Sequence, residues 1–178
     1  MDGYNIIAIS GIDGQFSDFC GLVDPLLNGK ECLKISYNRL LTFSQNIEVM
    51  KTIINKGTGK YCIIGWSIGA VAAAFLADCE GVEIIVMINP FYKRSEVLKS
   101  RNIFCDEEVC FSSATKRAIK YVIISGTNDD KIPYTESIKI SEHLNLSPND
   151  LYLINGAKHN LESFPKGSIS KIINNYLL

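Results

Sequence analysis

The chain has 178 residues, a size that fits one folded domain, and we expect residues 1–178 to form it. Its 47% hydrophobic content suits a full core, and its net charge of -1 offers no overall attraction to nucleic acid or to an anionic membrane. No run approaches the roughly 18 apolar residues of a membrane span, and the first five residues are too few and too polar to open a signal peptide. We therefore expect a cytoplasmic protein with no nucleic-acid partner and no membrane span.

The six cysteines show no Cys-x-x-Cys pair of the kind that binds metal, and two of them lie inside apolar segments. We interpret them as reduced thiols. They are Cys20, Cys32, Cys62, Cys79, Cys105 and Cys110.

Candidate strands and helices alternate along the first half of the chain. Residues 5–10 form a continuous apolar run typical of a buried parallel strand, and residues 17–27 have apolar residues at helical spacing. Residues 33–37 are a short strand candidate. Thr42 and Gln45 form a capping box for a helix, and Gly57 lies where a C-terminal glycine is expected.

The second half continues the alternation. The strand candidates are residues 83–89, 121–125 and 151–154, and the helix candidates are residues 134–144 and 168–178. Residues 90–120 lack clean periodicity. Together with the strand that begins at Tyr61, this gives six strands separated by helices. The pattern predicts an α/β fold: a three-layer sandwich with a mostly parallel six-stranded sheet and helices on both faces.

The central stretch runs from Tyr61 to Gly69. An apolar strand leads into Gly65-Trp66-Ser67-Ile68-Gly69, and an alanine-rich helix candidate, residues 70–77, follows with no spacer. Such a sharp corner exposes its middle residue at the end of the strand, and the flanking glycines remove side chains that would collide. The alternative is a tight turn that carries an ordinary serine.

This Gly-x-Ser-x-Gly corner resembles the nucleophile elbow of the α/β-hydrolase family. The resemblance extends over nearly the whole chain, to a version of the fold that lacks the family's first two strands. It implies that Ser67 is a catalytic nucleophile. A serine needs a histidine to take its proton and a carboxylate to orient that histidine.

The resemblance also selects the partners of Ser67. Residues 155–160 resemble the family's Gly-x-x-His turn and imply His159 as the base, whereas His143 lies in a predicted helix where a packing or solvated role is expected. Residues 126–133 resemble its Gly-x-x-Asp loop and imply Asp129 as the acid. Asp130 is the competing residue, because chemistry alone does not separate adjacent aspartates in a turn.

The implied oxyanion hole consists of the backbone N-H groups of Ile68 and Ile12. Ser10-Gly11 departs from the His-Gly that the family commonly has here, and Asp13 is an awkward charge near a developing anion. The resemblance implies no metal and no organic cofactor.

Residues 90–120 occupy the place where the family inserts a lid, and we expect a short lid there. Trp66, Phe91 and Tyr92 are candidate substrate-binding residues. The stretch has seven basic and four acidic residues, a net charge of plus three. It could steer an acidic partner or be an ordinary solvated face. The basic residues considered for docking are Lys93, Arg94, Lys99 and Arg101.

The sequence therefore predicts a serine hydrolase that cleaves a small carboxylic ester. The basic lid is similar to that of small esterases of this family that act on a pimeloyl methyl ester held by an acidic acyl carrier protein in biotin synthesis. Two alternatives stay open. One is a thioesterase or acyltransferase on the same three residues, and the other is a non-catalytic binding protein on a hydrolase fold.

Overall fold

The structure is a computed structural model that describes residues 4–11, 19, 32–38, 40–93, 109–111, 114 and 119–177. In these ranges the strands are β1 Asn5–Ile9, β2 Cys32–Ile35, β3 Tyr61–Trp66, β4 Val82–Ile88, β5 Lys120–Gly126 and β6 Leu151–Ile154. The helices are α1 Phe43–Ile54, α2 Ile68–Phe75, α3 Tyr134–Leu144 and α4 Ser168–Leu177. None of these helices has the length and apolar character that a membrane span requires.

All six strands pair in parallel, in the order β2-β1-β3-β4-β5-β6. This confirms the predicted α/β fold. The chain first adds β2 on one side of β1 and then crosses over to place β3 on the other side. Ligands in such sheets bind at the carboxyl ends of the strands beside this reversal. Ser67, which follows β3 directly, lies at that point.

Two separate apolar clusters cover the faces of the sheet. Ile7 and Ile63 belong to one cluster, which includes buried residues of α1, α2 and α3. Ile6 and Ile64 belong to the other, which includes buried residues of α4 and also Phe19. Because neighbouring residues of a strand point to opposite faces, burial on both sides explains the continuous apolar runs of the sequence.

The start of α1 forms as predicted. Thr42 Oγ1 accepts a hydrogen bond from the Gln45 N-H, and Gln45 Oε1 accepts one from the Thr42 N-H. The end of α1 is not formed by the predicted C-terminal glycine. Its C-cap is Asn55, in the right-handed conformation. Gly57 lies close to Tyr61 instead, and a Cβ there would overlap the Tyr61 hydroxyl unless that side chain moved.

The observed boundaries differ from the predicted ones by one or two residues at most ends. β2 begins and ends earlier than predicted, and α2 begins directly after Ser67 instead of at Ala70. The predicted helix at residues 17–27 lies outside the described residues except for Phe19, which is fully buried.

Candidate active site

Ser67 occupies a strained corner between β3 and α2. Its backbone has φ 59 and ψ -124, a conformation that non-glycine residues rarely adopt. A Cβ at Gly69 would lie 2.5 Å from the carbonyl oxygens of Ile9 and Ser10, and one at Gly65 would overlap the Gly69 carbonyl. The two flanking glycines therefore let β3, α2 and the end of β1 come together. The predicted elbow geometry is present, and it leaves Ser67 partly exposed.

The end of β1 reaches the elbow. A Cβ added to Gly11 would lie 3.3 Å from the Cβ of Ser67. Ile68 is the first residue of α2, and the first N-H groups of a helix have no acceptor within that helix. The Ile68 N-H is thus placed next to Ser67 and remains available to a ligand. Ile12 and Asp13 lie outside the described residues, so the second oxyanion donor stays a prediction.

Asp129 and His159 form a direct pair. Asp129 Oδ2 lies 2.7 Å from His159 Nδ1, and the two side chains are 0% and 8% exposed. Asp129 Oδ1 accepts hydrogen bonds of 2.8 Å from the N-H groups of Lys131 and Ile132. Asp130 is exposed. The geometry therefore brings His159 together with Asp129, the residue that the motif register selects.

The loops after β5 and β6 hold this pair in place. The Asn128 N-H donates to the Ala157 carbonyl at 2.9 Å, and Thr127 Oγ1 accepts from the Gly156 N-H at 2.9 Å. A Cβ at Gly126 would overlap the Ala157 carbonyl. These contacts hold the loops that follow β5 and β6 against each other. They therefore fix the distance between Asp129 and His159.

Trp66 lies against His159. Their ring centroids are 5.5 Å apart with planes tilted by 36°, and Trp66 Nε1 donates to the His159 carbonyl at 3.1 Å. Trp66 immediately precedes Ser67, so His159 lies beside the elbow. The predicted contact of Trp66 with substrate remains a prediction.

Two segments of the predicted lid, residues 92–93 and 110–111, are joined through their backbones. Lys93 and Cys110 form an antiparallel bridge, and the Phe111 N-H donates to the Tyr92 carbonyl at 2.7 Å. Tyr92 and Phe111 both contact the ring of His143 edge-on, which gives His143 the packing role expected for it.

Phe91 is fully buried in the core. Tyr92 is partly exposed, so of these two candidates it is the better placed to reach a substrate. Residues 94–108 lie outside the described residues. They include most of the predicted lid and its residues Arg94, Lys99 and Arg101. The lid and its docking role stay predictions.

Two buried polar residues, Glu136 and Asn89, were not predicted from the sequence. Glu136, in the first turn of α3, accepts hydrogen bonds from the N-H groups of Tyr92 and Lys93 and pairs with Lys139 at 2.6 Å. Asn89, directly after β4, contacts the loops of both Asp129 and His159. The sequence gives no clear signal for Asn89, because a residue before proline usually stays extended whereas Asn89 has a positive φ of 48.

The described ranges contain no group of three or more His, Cys, Asp or Glu residues arranged to hold a metal ion. No disulfide joins any two of the four cysteines in those ranges. Burial in the sheet raises the pKa of the Cys62 thiol to about 12, so this group is protonated at neutral pH.

No protein-family model matches the sequence, and no curated protein matches it significantly. Solved structures do match over nearly the full chain. The Paleococcus ferrophilus monoacylglycerol lipase has a TM-score of 0.72 at 12% identity, covering 98% of this chain and 95% of that one.

Two further structures match similarly. MGS-MChE2, an alpha/beta hydrolase enzyme from a metagenome of sediments of the Mar Chica lagoon in Morocco, has a TM-score of 0.70 at 18% identity, covering 98% of this chain and 90% of that one. The ydeN gene product from B. subtilis has a TM-score of 0.70 at 14% identity, covering 97% and 98%. The chain therefore has the α/β-hydrolase fold.

Proposed function

We propose that this protein is a serine hydrolase that cleaves a carboxylic ester through an acyl-enzyme, with Ser67, His159 and Asp129 as its catalytic residues. The observation that carries the proposal is the buried 2.7 Å contact between Asp129 and His159 beside the strained corner at Ser67. A strained corner that carries the nucleophile and an oriented histidine, both at the carboxyl ends of the strands, fit this chemistry.

The mechanism starts with the tautomer of His159. An ionised Asp129 carboxylate only accepts hydrogen bonds, so Nδ1 of His159 carries the proton in this pair and Nε2 is left as the base. Ser67 Oγ then attacks the ester carbonyl carbon while Nε2 takes the hydroxyl proton. Asp129 stabilises the resulting imidazolium.

The negative charge that develops on the carbonyl oxygen needs backbone donors. Ile68 and, in the proposal, Ile12 supply them. The intermediate collapses as His159 returns the proton to the departing alcohol, which leaves the acyl group on Ser67. Water then attacks this ester with His159 again acting as base, and Ser67 is regenerated.

An ester is favoured over other acyl donors by the solved structures that share the fold, one of which is a monoacylglycerol lipase. Thioesters and transfer to an alcohol or amine use the same three residues and remain alternatives. A narrower version of the proposal is that the substrate is an ester bound to an acyl carrier protein, such as a pimeloyl methyl ester. It is supported by the net positive charge of residues 90–120, which suits an acidic carrier.

The test is hydrolysis of p-nitrophenyl esters of graded acyl length by the wild-type protein and by Ser67→Ala. We expect turnover in the wild type and its loss in the variant, with rapid release of about one nitrophenol per protein from short esters if deacylation is slow. Equal turnover by both proteins would contradict the assignment of Ser67. No turnover of any ester or thioester by a folded wild type would favour a binding protein.

The carrier version has its own test. Neutralising Lys93, Arg94, Lys99 and Arg101 should raise KM for a carrier-bound ester and leave a small ester unaffected, because only the carrier has a large acidic surface. An equal effect on both substrates would exclude docking by these residues.

A further inference from the structure

Asn89 is an unusual residue in the interior of this protein. It lies directly after β4, is 0% exposed, and has a positive φ of 48. Asparagine tolerates the left-handed region better than most residues, but that conformation still has a cost. The described part of the chain has only two other non-glycine residues with positive φ, Ser67 at the elbow and Asn145 at the exposed end of α3.

The side chain of Asn89 is fully engaged with backbone groups of two other loops. Its Oδ1 accepts from the Gly126 N-H at 2.9 Å. Its Nδ2 donates to the carbonyl of His159 at 3.1 Å and to that of Lys158 at 3.3 Å. An amide is the one kind of side chain that offers an acceptor and two donors in this arrangement.

Each of these contacts leads to a residue of the candidate site. Gly126 begins the loop that carries Asp129, and the His159 carbonyl belongs to the candidate base itself. The residue before Asn89 contacts the third loop, since the Ser67 N-H donates to the Ile88 carbonyl at 2.9 Å. The end of β4 therefore connects the loops of all three residues.

We infer that Asn89 is a positioning residue, which holds His159 and Asp129 in register with Ser67 without touching substrate. This inference rests on the proposed function. Trp66 Nε1 also donates a hydrogen bond to the His159 carbonyl, at 3.1 Å. His159 is thus held by one contact from the residue before the nucleophile and another from the end of the neighbouring strand.

A purely structural role is the competing explanation, because buried backbone groups need partners wherever they occur. The two explanations predict different kinetics. Loss of a positioning contact lowers kcat through His159, so it should matter little once the Asp129 and His159 pair is already disabled. A purely structural loss should lower activity by the same factor in either background.

The experiment compares Asn89→Gly, Asn89→Asp and the matched control Asn145→Gly. Glycine adopts positive φ freely, so Asn89→Gly removes the side-chain contacts without adding strain. Asn89→Asp keeps the contact with the Gly126 N-H and replaces both donors by a carboxyl oxygen that faces two carbonyl oxygens. The folded fraction of each variant is therefore measured by circular dichroism and kcat is expressed per folded protein, which keeps the inference testable where a variant is destabilised. Asn145→Gly changes the same residue type at a similar φ, far from the site.

We expect Asn89→Gly and Asn89→Asp to lower kcat for a p-nitrophenyl ester by about 10²-fold, with KM changed by less than about threefold. Asn145→Gly should behave as the wild type. In an Asp129→Asn background, Asn89→Gly should lower kcat by less than about threefold further.

Unchanged kcat in both Asn89 variants, or the full loss repeated in the Asp129→Asn background, would overturn the inference. Either result requires an active wild type, so it leaves the proposed function standing. Absence of turnover in the wild type would instead refute the proposed function, and with it this inference.

Discussion

Asp129 Oδ2 lies 2.7 Å from His159 Nδ1, and the Asp129 side chain is fully buried while its neighbour Asp130 is exposed. The other oxygen of Asp129 is held by two backbone N-H groups. Because Asp129 and Asp130 differ in burial and contacts but not in chemistry, substituting each in turn tests which of them is the acid.

Asp129→Asn should lower kcat by about 10³-fold or more, because the amide oxygen would stay with the two backbone N-H groups and the NH₂ would then face Nδ1, which favours the wrong tautomer of His159. Asp130→Asn should change kcat by less than about twofold, as exposed substitutions usually do. Steady-state hydrolysis of a p-nitrophenyl ester measures both. Similar losses in the two variants would contradict the assignment of Asp129.

Gly126→Ala should lower both stability and activity, because the added Cβ would overlap the Ala157 carbonyl and separate the loops of Asp129 and His159. Gly156→Ala is the comparison, since it has positive φ but no atom within 4 Å of the added Cβ. We expect Gly156→Ala to cost about 1 kcal/mol in the free energy of unfolding, from backbone strain alone. Urea denaturation should show a larger loss for Gly126→Ala, and equal losses would argue against the close contact of the two loops.

Tyr176→Phe should lower the free energy of unfolding by about 1–2 kcal/mol without affecting kcat. The Tyr176 hydroxyl contacts the Tyr152 hydroxyl at 2.9 Å, Asp150 Oδ1 at 3.0 Å and the Asn149 carbonyl at 2.9 Å, which joins α4 to the start of β6. These groups lie at the amino ends of the strands, opposite the site. Chemical denaturation combined with ester hydrolysis would separate the two effects, and a change in kcat comparable to that of Asp129→Asn would contradict this separation.

Stability should fall between pH 9 and 12, in part because of Cys62. Burial raises the pKa of this thiol from 9.0 to about 12, so above pH 9 the unfolded chain releases a proton that the folded chain retains. Release of a proton on unfolding lowers stability as pH rises, by about 1.4 kcal/mol per pH unit for one group. The stabilisation is complete below pH 9 and is lost as pH rises toward the folded pKa.

The raised pKa values of Tyr4 and Tyr176 act in the same direction. Cys62→Ala should therefore flatten the alkaline fall without abolishing it. Urea denaturation at a series of pH values measures the slope, with Cys110→Ser, at a partly exposed position, as the control. Parallel slopes for the wild type and Cys62→Ala would contradict the assignment of this effect to Cys62.

Much of the fold was predictable because its signals are local. The apolar runs at β1, β3, β4 and β5 reflect burial on both faces, and the capping box at Thr42 involves residues only three apart. The elbow was predictable for the same reason, since Gly65 and Gly69 are needed where β3 and α2 pass close to each other.

The support around the site was not predictable in this way. Asn89 and the His159 carbonyl are 70 residues apart, and Tyr92 and Glu136 are 44 apart. Contacts of a side chain with a distant backbone leave no periodic pattern in the sequence. Residue type alone did not separate Asp129 from Asp130, because their orientation depends on the backbone direction within a turn; only the register of the Gly-x-x-Asp loop selected Asp129.

The central claim is that Ser67 is a nucleophile activated by His159. The most direct test is reaction of the folded protein with a fluorophosphonate probe, followed by peptide mass spectrometry, on the wild type, Ser67→Ala and His159→Ala. We expect a single adduct on Ser67, absent in Ser67→Ala and formed at least about 10²-fold more slowly in His159→Ala. An adduct on another residue, or labelling of Ser67 at the same rate without His159, would contradict it.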